Sequence, residues 1–491
     1  MNHLPILIPA PLFIAAFLVP LAGLMHPSLV PAVALLGAGT AAVAAVVGLY
    51  KVLAVGALHY QLGSWPPPIG IEYILDPLAA YMSVVVTGTG FVSLIYFRSA
   101  VRHEIPDRFV IAHAVALLLL AGLCGMIVTG DLFNLFVFLE IASLSAYALV
   151  AVGDKQAPVA ALRYLILGSL AGSFYVLGVG FLYFATGSLN MADVAARLLP
   201  LYPSRAVASA ALLIALAMAL KMALFPLHMW LPDAYTYAPW AVAGLIPPIM
   251  TKVAAYVLIR IFLGVFQPYY ATQQLPLLPV ISWLAAMGII FGSIMAIAQK
   301  DLRRMLAYSS VSQIAYVGLG IGMAHPLGLV GALLHVMNHA VMKACLFFVA
   351  GSVRLRAGHV EISRLTGLGR QMPWSMAAFT VAALSMIGIP PAAGFFSKWY
   401  LLLGALEVAN PWFVAVILVS SLLNAVYFFR VLENLYAKPS ATETAVKRFD
   451  APASMLAPTI FAAVGLIVLG LCNSIIVTQV LEPIAQKLYA G

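Results

Sequence analysis

Residues 206–231 read AVASAALLIALAMALKMALFPLHMWL, an apolar run that contains one lysine, Lys221, followed by Pro226. A run of about 20 apolar residues crosses the hydrocarbon core as an α-helix, so these residues predict a membrane span. A charged side chain is expensive inside a bilayer and persists mainly where it faces a bundle interior or a hydrated path. Proline lacks a backbone N–H and interrupts a regular helix, which predicts a break close to the lysine. The run therefore predicts a broken transport helix that carries a buried charge.

The same pattern recurs later in the chain. Residues 388–398 read GIPPAAGFFSK, in which Pro390 and Pro391 precede Lys398. Each of the two lysines thus lies within about two helical turns of a proline break. Two spans interrupted in a similar way are the sequence pointer to a transporter core built from inverted repeats.

The composition is that of a membrane protein with many spans. Hydrophobic residues make up 64% of the chain and charged residues 8%, whereas a soluble domain has about 25% charged residues. The net charge of +9 does not indicate nucleic-acid binding, because no basic tract is interleaved with aromatic residues. The three cysteines show no metal-ligand or redox spacing, and no nucleotide-binding loop occurs. The sequence therefore predicts no cofactor and no metal site.

Fourteen apolar runs of spanning length follow one another, which predicts an all-α polytopic fold with fourteen transmembrane helices. The first run has no basic segment before it and is expected to be retained rather than cleaved as a signal. Spans 4–8 and 9–13 form two predicted repeats of five helices, whose odd number implies inverted orientation, and spans 7 and 12 are the broken ones. The fourteen predicted spans are 4–24, 29–50, 77–97, 109–129, 132–152, 160–186, 206–231, 239–262, 276–298, 303–324, 327–350, 374–404, 411–434 and 453–478.

This numbering divides the chain into four segments. The polar stretch 51–75 is an expected interfacial segment and the stretch 435–452 an expected cytoplasmic linker. The four segments are 1–108 with spans 1–3, 109–262 with the first repeat, 263–434 with the second repeat, and 435–491 with the linker, span 14 and the C-terminal tail.

The basic residues of the loops predict the orientation, because lysine and arginine are held on the cytoplasmic side. The loops that follow odd-numbered spans carry most of them, which places both termini outside the cytoplasm. That larger set is Arg98, Arg102, Arg108, Lys155, Arg163, Lys300, Arg303, Arg304, Arg354, Arg356, Arg364, Arg370, Arg430, Lys438, Lys447 and Arg448. The opposite set is Lys51, Arg197, Arg205, Arg260 and Lys487.

Glu140 is the only acid deep within a predicted span, because Asp131 lies at the start of its helix and the other acids lie in or near loops. A carboxylate and an ammonium in a low-dielectric interior each favour the charged form of the other, so we expect Glu140 to pair with Lys221. Such a pair would hold or release a proton according to its separation. A static structural salt bridge is the alternative.

Span 11 carries His335, Asn338, His339 and Lys343. The spacing of the two histidines and the lysine places three titratable groups on one helix face over about 12 Å. Histidine changes charge near neutral pH and so suits a proton relay. A metal held by the two histidines is an alternative that lacks a third ligand nearby in sequence. With Lys252 of span 8, these side chains are candidates for a proton or ion pathway.

Several stretches are similar to one known family. They are GDLFNLFVFLE at 130–140, KMALFP at 221–226, LPDAY at 231–235, TKV at 251–253, LHVMNHAVMK at 334–343, GIPP at 388–391 and FSKW at 396–399. Together they resemble the antiporter-like subunits of the complex I superfamily, and most of all the D-type subunit of Mrp multisubunit Na⁺/H⁺ antiporters. The stretch FPLHMWLPDA at 225–234 looks more like the complex I and membrane-hydrogenase relatives.

The resemblance implies a lateral, hydrated polar axis through the middle of the membrane. It also implies other membrane subunits as partners and a prokaryotic inner or plasma membrane as the location. Pro247 and Pro248, one turn before Lys252, are expected to distort the helix that carries this lysine. The residues that match the positions of the axis are Glu140, Lys221, the connecting Lys252, the central His335, His339 and Lys343, and the terminal Lys398.

The expected function is that of a proton-conducting subunit of a larger assembly that exchanges Na⁺ or another monovalent cation for H⁺. One alternative is a proton-pumping membrane subunit of a redox-driven complex of the complex I or membrane-hydrogenase type. Another is a non-conducting membrane scaffold, which would tolerate the loss of Lys221 or Glu140. The chain is expected to be an ion-transporter subunit rather than an enzyme, and a translocase component if the complex is redox-driven.

Overall fold

The computed structural model describes residues 3–153, 155–436 and 449–489. Within these ranges the chain is mainly helical, with short connections. The helices of eight residues or more are α1 (Ala10–Met25), α2 (Val30–Val55), α3 (Pro77–Glu104), α4 (Phe109–Val128), α5 (Leu132–Ala151), α6 (Ala157–Thr186), α7 (Met191–Leu198), α8 (Arg205–Lys221), α9 (Trp230–Tyr237), α10 (Ile246–Ile259), α11 (Leu277–Ile297), α12 (Leu302–Gly322), α13 (Pro326–Ala357), α14 (Pro373–Ile387), α15 (Ala393–Glu407), α16 (Pro411–Tyr436), α17 (Ala453–Leu471) and α18 (Glu482–Tyr489).

Shorter helical pieces join these elements. The α-helical ones are Trp240–Ala243, Gln267–Tyr269, Leu368–Gln371 and Asn473–Ile476. The 3₁₀ turns are Pro27–Leu29, Leu62–Ser64, Pro106–Arg108, Leu199–Leu201 and Ile362–Arg364. The π-helical turns are Arg260–Val265, Tyr270–Gln274 and Val477–Leu481.

Ten helices in the described ranges are long and apolar enough to cross a membrane, and α1 and α14 are shorter apolar helices. The chain is therefore a helical membrane protein, as its composition predicts. In α13 the most apolar window is 89% buried, against 39% in α6. Helix α13 is thus a central helix of the bundle, and it carries the two histidines and the lysine of predicted span 11.

The first helix break lies next to Pro226, as predicted. Helix α8 ends at Lys221 and α9 begins at Trp230. The last carbonyls of a helix have no partner within it. One of them, the carbonyl of Leu220, accepts a hydrogen bond from the Trp230 indole at 2.9 Å. The second half of the broken span thereby stabilises the end of the first half.

The second break also lies where the prolines predict it. Helix α14 ends at Ile387, α15 begins at Ala393, and Pro390 and Pro391 lie between them. Gly388 ends α14 in the left-handed region with φ +96°. Glycine adopts this conformation at low cost because it has no Cβ.

Predicted span 8, residues 239–262, is also divided, but not by its two prolines. The short helix Trp240–Ala243 is followed by a turn at Gly244, and α10 begins two residues later. Pro247 and Pro248 lie in the first turn of α10, where a backbone N–H has no helical acceptor. The two prolines therefore start α10 and do not interrupt it.

A two-stranded antiparallel sheet departs from the all-α prediction. Strand β1 (Leu58–Gln61) pairs with β2 (Glu72–Leu75), with the first residue of β1 opposite the last residue of β2. The backbone carbonyl at position 72 accepts from the Gly130 amide at 2.9 Å, and the side-chain carboxylate accepts from Asn190 Nδ2 at 3.0 Å. This hairpin falls in the predicted interfacial segment 51–75. The residues that bond to the hairpin are distant in sequence, so local sequence patterns could not predict these contacts.

Loops of the same predicted side contact one another on a surface that we call the basic face. The Arg430 guanidinium donates to the carbonyls of Ile297 and Gln299 at 2.6 and 2.7 Å. The amide of Ile362 donates to the carbonyl of Lys300 at 2.9 Å. The loops after predicted spans 9, 11 and 13 therefore meet. Three basic residues of the predicted set, Lys438, Lys447 and Arg448, lie outside the described residues, as does most of the linker 435–452.

The opposite surface carries the hairpin, and we call it the hairpin face. Here Asp76 caps the start of α3 by accepting from the Ala79 amide at 2.8 Å. It also accepts two hydrogen bonds from the Arg260 guanidinium at 2.6 and 2.8 Å. Burial by itself would raise the pKa of the Asp76 carboxyl, but the charge and hydrogen bonds of Arg260 hold that pKa below its usual value. This ion pair ties α3 to the end of α10.

Candidate functional site

Glu140 lies on α5 and faces α6. Its Oε1 atom is buried and has no hydrogen-bond partner among the described residues. A Cβ placed on Gly172 of α6 would overlap this oxygen. One turn earlier on α6, a Cβ on Gly168 would overlap the Tyr147 hydroxyl. The two glycines therefore make room for the polar side chains of α5.

Lys221 is the last residue of α8, and its ammonium is bound to α5. Its Nζ donates to Ser143 Oγ at 2.7 Å and to Tyr147 Oη at 3.3 Å. Both hydroxyls lie on α5, one and two turns beyond Glu140. The aromatic ring of Tyr147 packs edge-on against Tyr164, which stacks on Trp230 of α9. The Lys221 site is thus linked to the break that follows it.

The predicted direct pair between Glu140 and Lys221 is not formed in this structure. No ion pair within 4.0 Å joins them in the described ranges. The Lys221 ammonium, at the end of α8, instead donates hydrogen bonds to the hydroxyls of Ser143 and Tyr147. The two charges still interact electrostatically over a longer distance.

The centre of the bundle holds His335 and His339, both fully buried on α13. Their rings stack with centroids 5.7 Å apart. His335 Nδ1 bonds Ser397 Oγ of α15 at 2.9 Å, and Asn338 Nδ2 donates to the Ala393 carbonyl at 2.7 Å. Helix α13 therefore holds the start of α15, directly after the second break.

Several polar atoms in this centre have no protein partner among the described residues. They are Nε2 of His335, both ring nitrogens of His339, Oδ1 of Asn338, and both side-chain polar atoms of Gln313 on the neighbouring helix α12. Buried polar groups in proteins are almost always hydrogen-bonded, to water where protein groups are out of reach. The centre is therefore suited to binding water along the two histidines.

Lys252 and Lys343 are fully buried and are held mainly by backbone carbonyls. Lys252 Nζ donates to the carbonyl of Pro247 in the first turn of α10 at 2.6 Å. Lys343 Nζ donates to the carbonyl of Leu306 at 2.8 Å and to Ser309 Oγ at 2.5 Å on α12. Lys252 also interacts electrostatically with Lys343 and with both central histidines.

Lys398 lies on α15 but binds the end of α14 across the second break. Its Nζ donates to the carbonyls of Met386 and Ile387, each at 2.9 Å, and to Ser421 Oγ at 3.2 Å. The ammonium also lies 5.2 Å from the centre of the Tyr316 ring. The end of α14 carries the negative end of the helix dipole and unpaired carbonyls, which both favour a cation.

The predicted residues thus form neighbouring groups in the interior of the bundle. Glu140 interacts with Lys221 at one end, and Lys398 interacts with His335 at the other. Between Lys221 and α10 lies a cavity of about 20 Å³ lined by Ser143 and Met250, among others. A cavity of this size accommodates about one water molecule.

In the part of the chain that the structure describes, no group of three or more His, Cys, Asp or Glu side chains is placed to hold a metal ion. The two stacked histidines therefore have no third ligand in space among these residues, just as they have none nearby in sequence.

A family model matches residues 129–424, which contain all seven predicted pathway residues. The family is described as NADH:quinone oxidoreductase/Mrp antiporter, TM. The match covers more than half of the chain. The chain belongs to this family. It is therefore an antiporter-like member of the complex I superfamily, which confirms the predicted resemblance.

Two relatives come from the two branches of this family. NADH-quinone oxidoreductase subunit N of Desulforudis audaxviator is 49% identical over 502 residues, which cover 98% of each chain. The D-type subunit of the Na(+)/H(+) antiporter of Alkalihalophilus pseudofirmus is 34% identical over 372 residues, which cover 75% of the present chain and 74% of the relative. The full-length similarity is thus higher to the relative named as an oxidoreductase component.

A solved structure shows the same fold. A chain in the structure of the Mrp complex from Dietzia sp. DQ12-45-1b matches with a TM-score of 0.89 and 27% identity. The match covers 99% of this antiporter-family chain and 97% of the solved chain. The helical architecture described above is therefore that of an antiporter-like subunit along its whole length.

Sequence reasoning missed several residues of the site in this antiporter-family chain. Ser143 and Tyr147 lie three and seven residues after Glu140 and therefore share its helix face, a spacing that is readable from sequence. Ser309 follows no comparable pattern, because no predicted pathway residue lies on its own helix, α12. The partners of Lys398 had no sequence signal at all, because two of them are backbone carbonyls.

Proposed function

We propose that this chain is the proton-conducting, antiporter-like subunit of a multisubunit membrane complex. The observation that carries the proposal is the set of titratable side chains buried in the bundle. The relatives named above are themselves subunits, which supports partner subunits for this chain. The proposed pathway consists of Glu140, Lys221, Lys252, His335, His339, Lys343 and Lys398, with the breaks at Pro226, Pro390 and Pro391.

Such a set has few explanations other than transport. Lys252, Lys343, His335 and His339 are 0% exposed, and Lys221 and Lys398 are 7% and 6% exposed. Burying so many ionisable groups is costly in a bilayer unless they face each other or water. Lysine and histidine side chains can each accept and release a proton. The set can therefore pass protons along the interior.

Two driving forces fit the proposal. Exchange of Na⁺ or another monovalent cation for H⁺ is supported by the similarity to an Na(+)/H(+) antiporter subunit and to the Mrp complex structure. Coupling to a redox reaction in a partner module is supported by the higher identity, over the full length, to an NADH-quinone oxidoreductase subunit N. The polar interior serves both equally, because it moves protons in either case.

One assay separates the two driving forces. The complete complex is reconstituted in liposomes with an interior pH indicator and given Na⁺, K⁺ or Li⁺ pulses, and separately a reductant with a quinone. Cation-driven pH change without redox turnover supports antiport, whereas a pH change only during redox turnover supports the pump.

Replacement of Glu140 tests proton conduction itself. In Glu140→Gln the charge is lost with little change of volume, so we expect assembly to continue and proton movement to stop in either assay. The control is Glu407→Gln, an equal change at an exposed acid at the end of α15. Full proton movement in Glu140→Gln would leave the scaffold alternative standing.

We further propose fourteen membrane spans, with spans 4–8 and 9–13 as inverted five-helix repeats within the four segments defined above. The basic face would lie in the cytoplasm of a prokaryotic cell and both termini outside it, in the inner or plasma membrane. A cysteine introduced between 354 and 370 should react with a reagent supplied from the cytoplasm, and one at position 3 with a reagent supplied from outside. The opposite labelling pattern would reverse the proposed orientation.

The charge balance supports the need for partners. The proposed pathway contains one acid, Glu140, and four buried lysines. Neighbouring subunits would therefore supply acids, or the lysines would be neutral. We expect the chain reconstituted alone to show little or no cation-dependent proton flux, and the complete complex to show it. Strong antiport by the isolated chain would instead make it a self-sufficient transporter.

A further inference from the structure

A cavity of about 430 Å³ opens at the basic face, away from the pathway residues. We call it the basic cavity. Its wall is built by the ends of α3 and α13, the start of α12 and the loop before α6. The charged side chains that line it are the cations Lys155, Arg303 and Arg354 and the acid Glu104.

The one acid that lines this cavity, Glu104, accepts hydrogen bonds from backbone amides. The Glu104 carboxylate accepts from the amide of Trp240 at 2.8 Å and from the amide of Ala241 at 2.9 Å. It thereby caps the short helix that leads to α10. These hydrogen bonds direct both carboxylate oxygens toward the amides, and the carboxylate also attracts Arg303 electrostatically.

Arg303 and Arg354 both line this cavity. Arg303 is repelled by Arg354 and attracted by two acids, Asp301 and Glu104. Arg303 Nη1 donates to the carbonyl of Ala238 at 3.2 Å, but its Nε is buried and has no partner among the described residues. Arg354 Nη1 donates to the carbonyl of Gly358 at 2.5 Å. Among the described residues, neither arginine forms an ion pair within 4.0 Å.

We propose that the basic cavity binds a phosphate group. A guanidinium presents donors in a planar fork that matches two phosphate oxygens, and a phosphate between two guanidinium groups removes their repulsion. Lys155 adds a third cation from the loop before α6.

The depth of the cavity favours a lipid headgroup as the source. The cavity lies where spanning helices end, which is the level of phospholipid headgroups. Basic pockets between transmembrane helices at the cytoplasmic surface bind the headgroups of anionic lipids. Free inorganic phosphate has the same chemistry, so the two sources are compared directly in the test below.

Binding would connect parts of the chain that are far apart in sequence. Arg303 belongs to the start of α12 and Arg354 to the end of α13, whereas Lys155 precedes α6. A phosphate in contact with all three would hold both predicted repeats together. It would do so beside the segment that Glu104 caps, which leads to α10 and Lys252.

The test uses the purified complete complex, stripped of lipid in detergent. Its thermal unfolding is followed with phosphatidylglycerol in mixed micelles, with phosphatidylcholine as the lipid control, and with inorganic phosphate alone. A ligand that binds only the folded state raises the unfolding midpoint, here by about 2 °C or more at saturation. We expect phosphatidylglycerol to do so and phosphatidylcholine not to.

Variants identify the site. The double variant Arg303→Gln, Arg354→Gln should lose this rise, whereas Arg364→Gln, Arg370→Gln, which removes two arginines of the basic face outside the cavity, should keep it. If the first double variant does not assemble, Lys155→Gln with Arg354→Gln replaces it, because both of these side chains are exposed.

Each result decides one point. A rise with inorganic phosphate alone, lost in the cavity variant, supports the phosphate site with a free anion as its ligand. Equal rises in parent and cavity variant overturn the proposal. Loss of a neighbouring subunit from the cavity variant, with no effect of lipid or phosphate on the parent, would show that a protein carboxylate occupies the cavity and would also overturn it.

Discussion

Lys221 and Lys398 both lie beside a helix break, yet different groups hold them. Lys221 ends the first half of its broken span and binds the hydroxyls of Ser143 and Tyr147 on another helix. Lys398 lies in the second half of its span and reaches back to the carbonyls of Met386 and Ile387. At the first break the lysine precedes the proline, whereas at the second break the two prolines precede the lysine.

The different hydrogen-bond partners predict different roles for the two lysines. A hydroxyl both donates and accepts, so the Lys221 site can bind the ammonium or the neutral amine. A carbonyl only accepts, so two of the three partners of Lys398 bind it only through its N–H donors, and they belong to the negative end of the α14 helix dipole. We therefore expect Lys221 to change protonation with Glu140 nearby, and Lys398 to combine transport with structural capping.

The largest expected effect is on transport. Lys221→Ala and Lys398→Ala should each abolish proton movement by the complete complex, because each removes a buried titratable group of the pathway. Proton uptake into liposomes across a range of pH measures this. Lys51→Ala, at an exposed position of α2, is the control. If both pathway variants match the parent at every pH, the pathway proposed here is wrong.

Stability should separate the two lysines. Lys398→Ala leaves the buried Ile387 carbonyl without this donor, at a cost of about 1–3 kcal/mol, whereas the Met386 carbonyl keeps a hydrogen bond from Asn424 Nδ2 at 3.4 Å. Lys221→Ala costs less, because Ser143 Oγ keeps its hydrogen bond to the Leu139 carbonyl at 2.6 Å. Thermal unfolding of the two variants should therefore place Lys398→Ala below Lys221→Ala. The reverse order would contradict the capping role of Lys398.

The contact between Gly172 and Glu140 offers a smaller change at the first site. In Gly172→Ala the new methyl group overlaps Glu140 Oε1, so the carboxylate must move away from its place on α5. We expect proton movement to fall about tenfold, which corresponds to about 1.4 kcal/mol in the barrier.

The matched control for this change is on the same helix. A Cβ on Gly180 meets no atom within 4 Å, so Gly180→Ala should leave transport unchanged. Proton flux is compared in complexes assembled to the same level. Equal flux in Gly172→Ala and Gly180→Ala would mean that the place of the Glu140 carboxylate does not limit transport.

The smallest expected effect concerns the backbone of the breaks. Gly388 has φ +96° at the second break, where a Cβ would meet Lys398 Cδ at 3.2 Å, and Ala223 has φ +57° at the first. The left-handed region costs an ordinary residue about 1–2 kcal/mol, so Gly388→Ala should lower the unfolding free energy by about that amount. Ala223→Gly should lie within about 0.5 kcal/mol of the parent, because relief of strain offsets the entropy of glycine. Thermal unfolding measures both, and equal destabilisation would show that glycine relieves no strain at position 223.

Much of the architecture could be predicted because the signals are local. Apolar length predicts spans, proline predicts breaks, and a charge inside an apolar run predicts a functional position, whatever the rest of the chain does. Pro226 and Pro390 both lie in observed breaks, and every predicted pathway residue falls within the region matched by the family model.

The sequence predictions fail where two distant segments meet. Pro247 and Pro248 begin the helix that they are expected to distort, and the preceding turn at Gly244 lies against Phe348 and Tyr96, which are far away in sequence. The hairpin escapes prediction for a similar reason, since its residue 72 bonds to residues 130 and 190, which are far away in sequence.

The amino-acid sequence specifies which side chains are available in the predicted membrane interior: one acid, four lysines and two neighbouring histidines on α13. That follows from the high cost of placing charge in hydrocarbon, which leaves few reasons for such residues to be there. The partners of these side chains follow from the packing of the helices. Glu140 stands beside a glycine rather than against Lys221, and Lys398 caps a helix end, because these contacts depend on how helices pack and where backbone carbonyls are left unpaired.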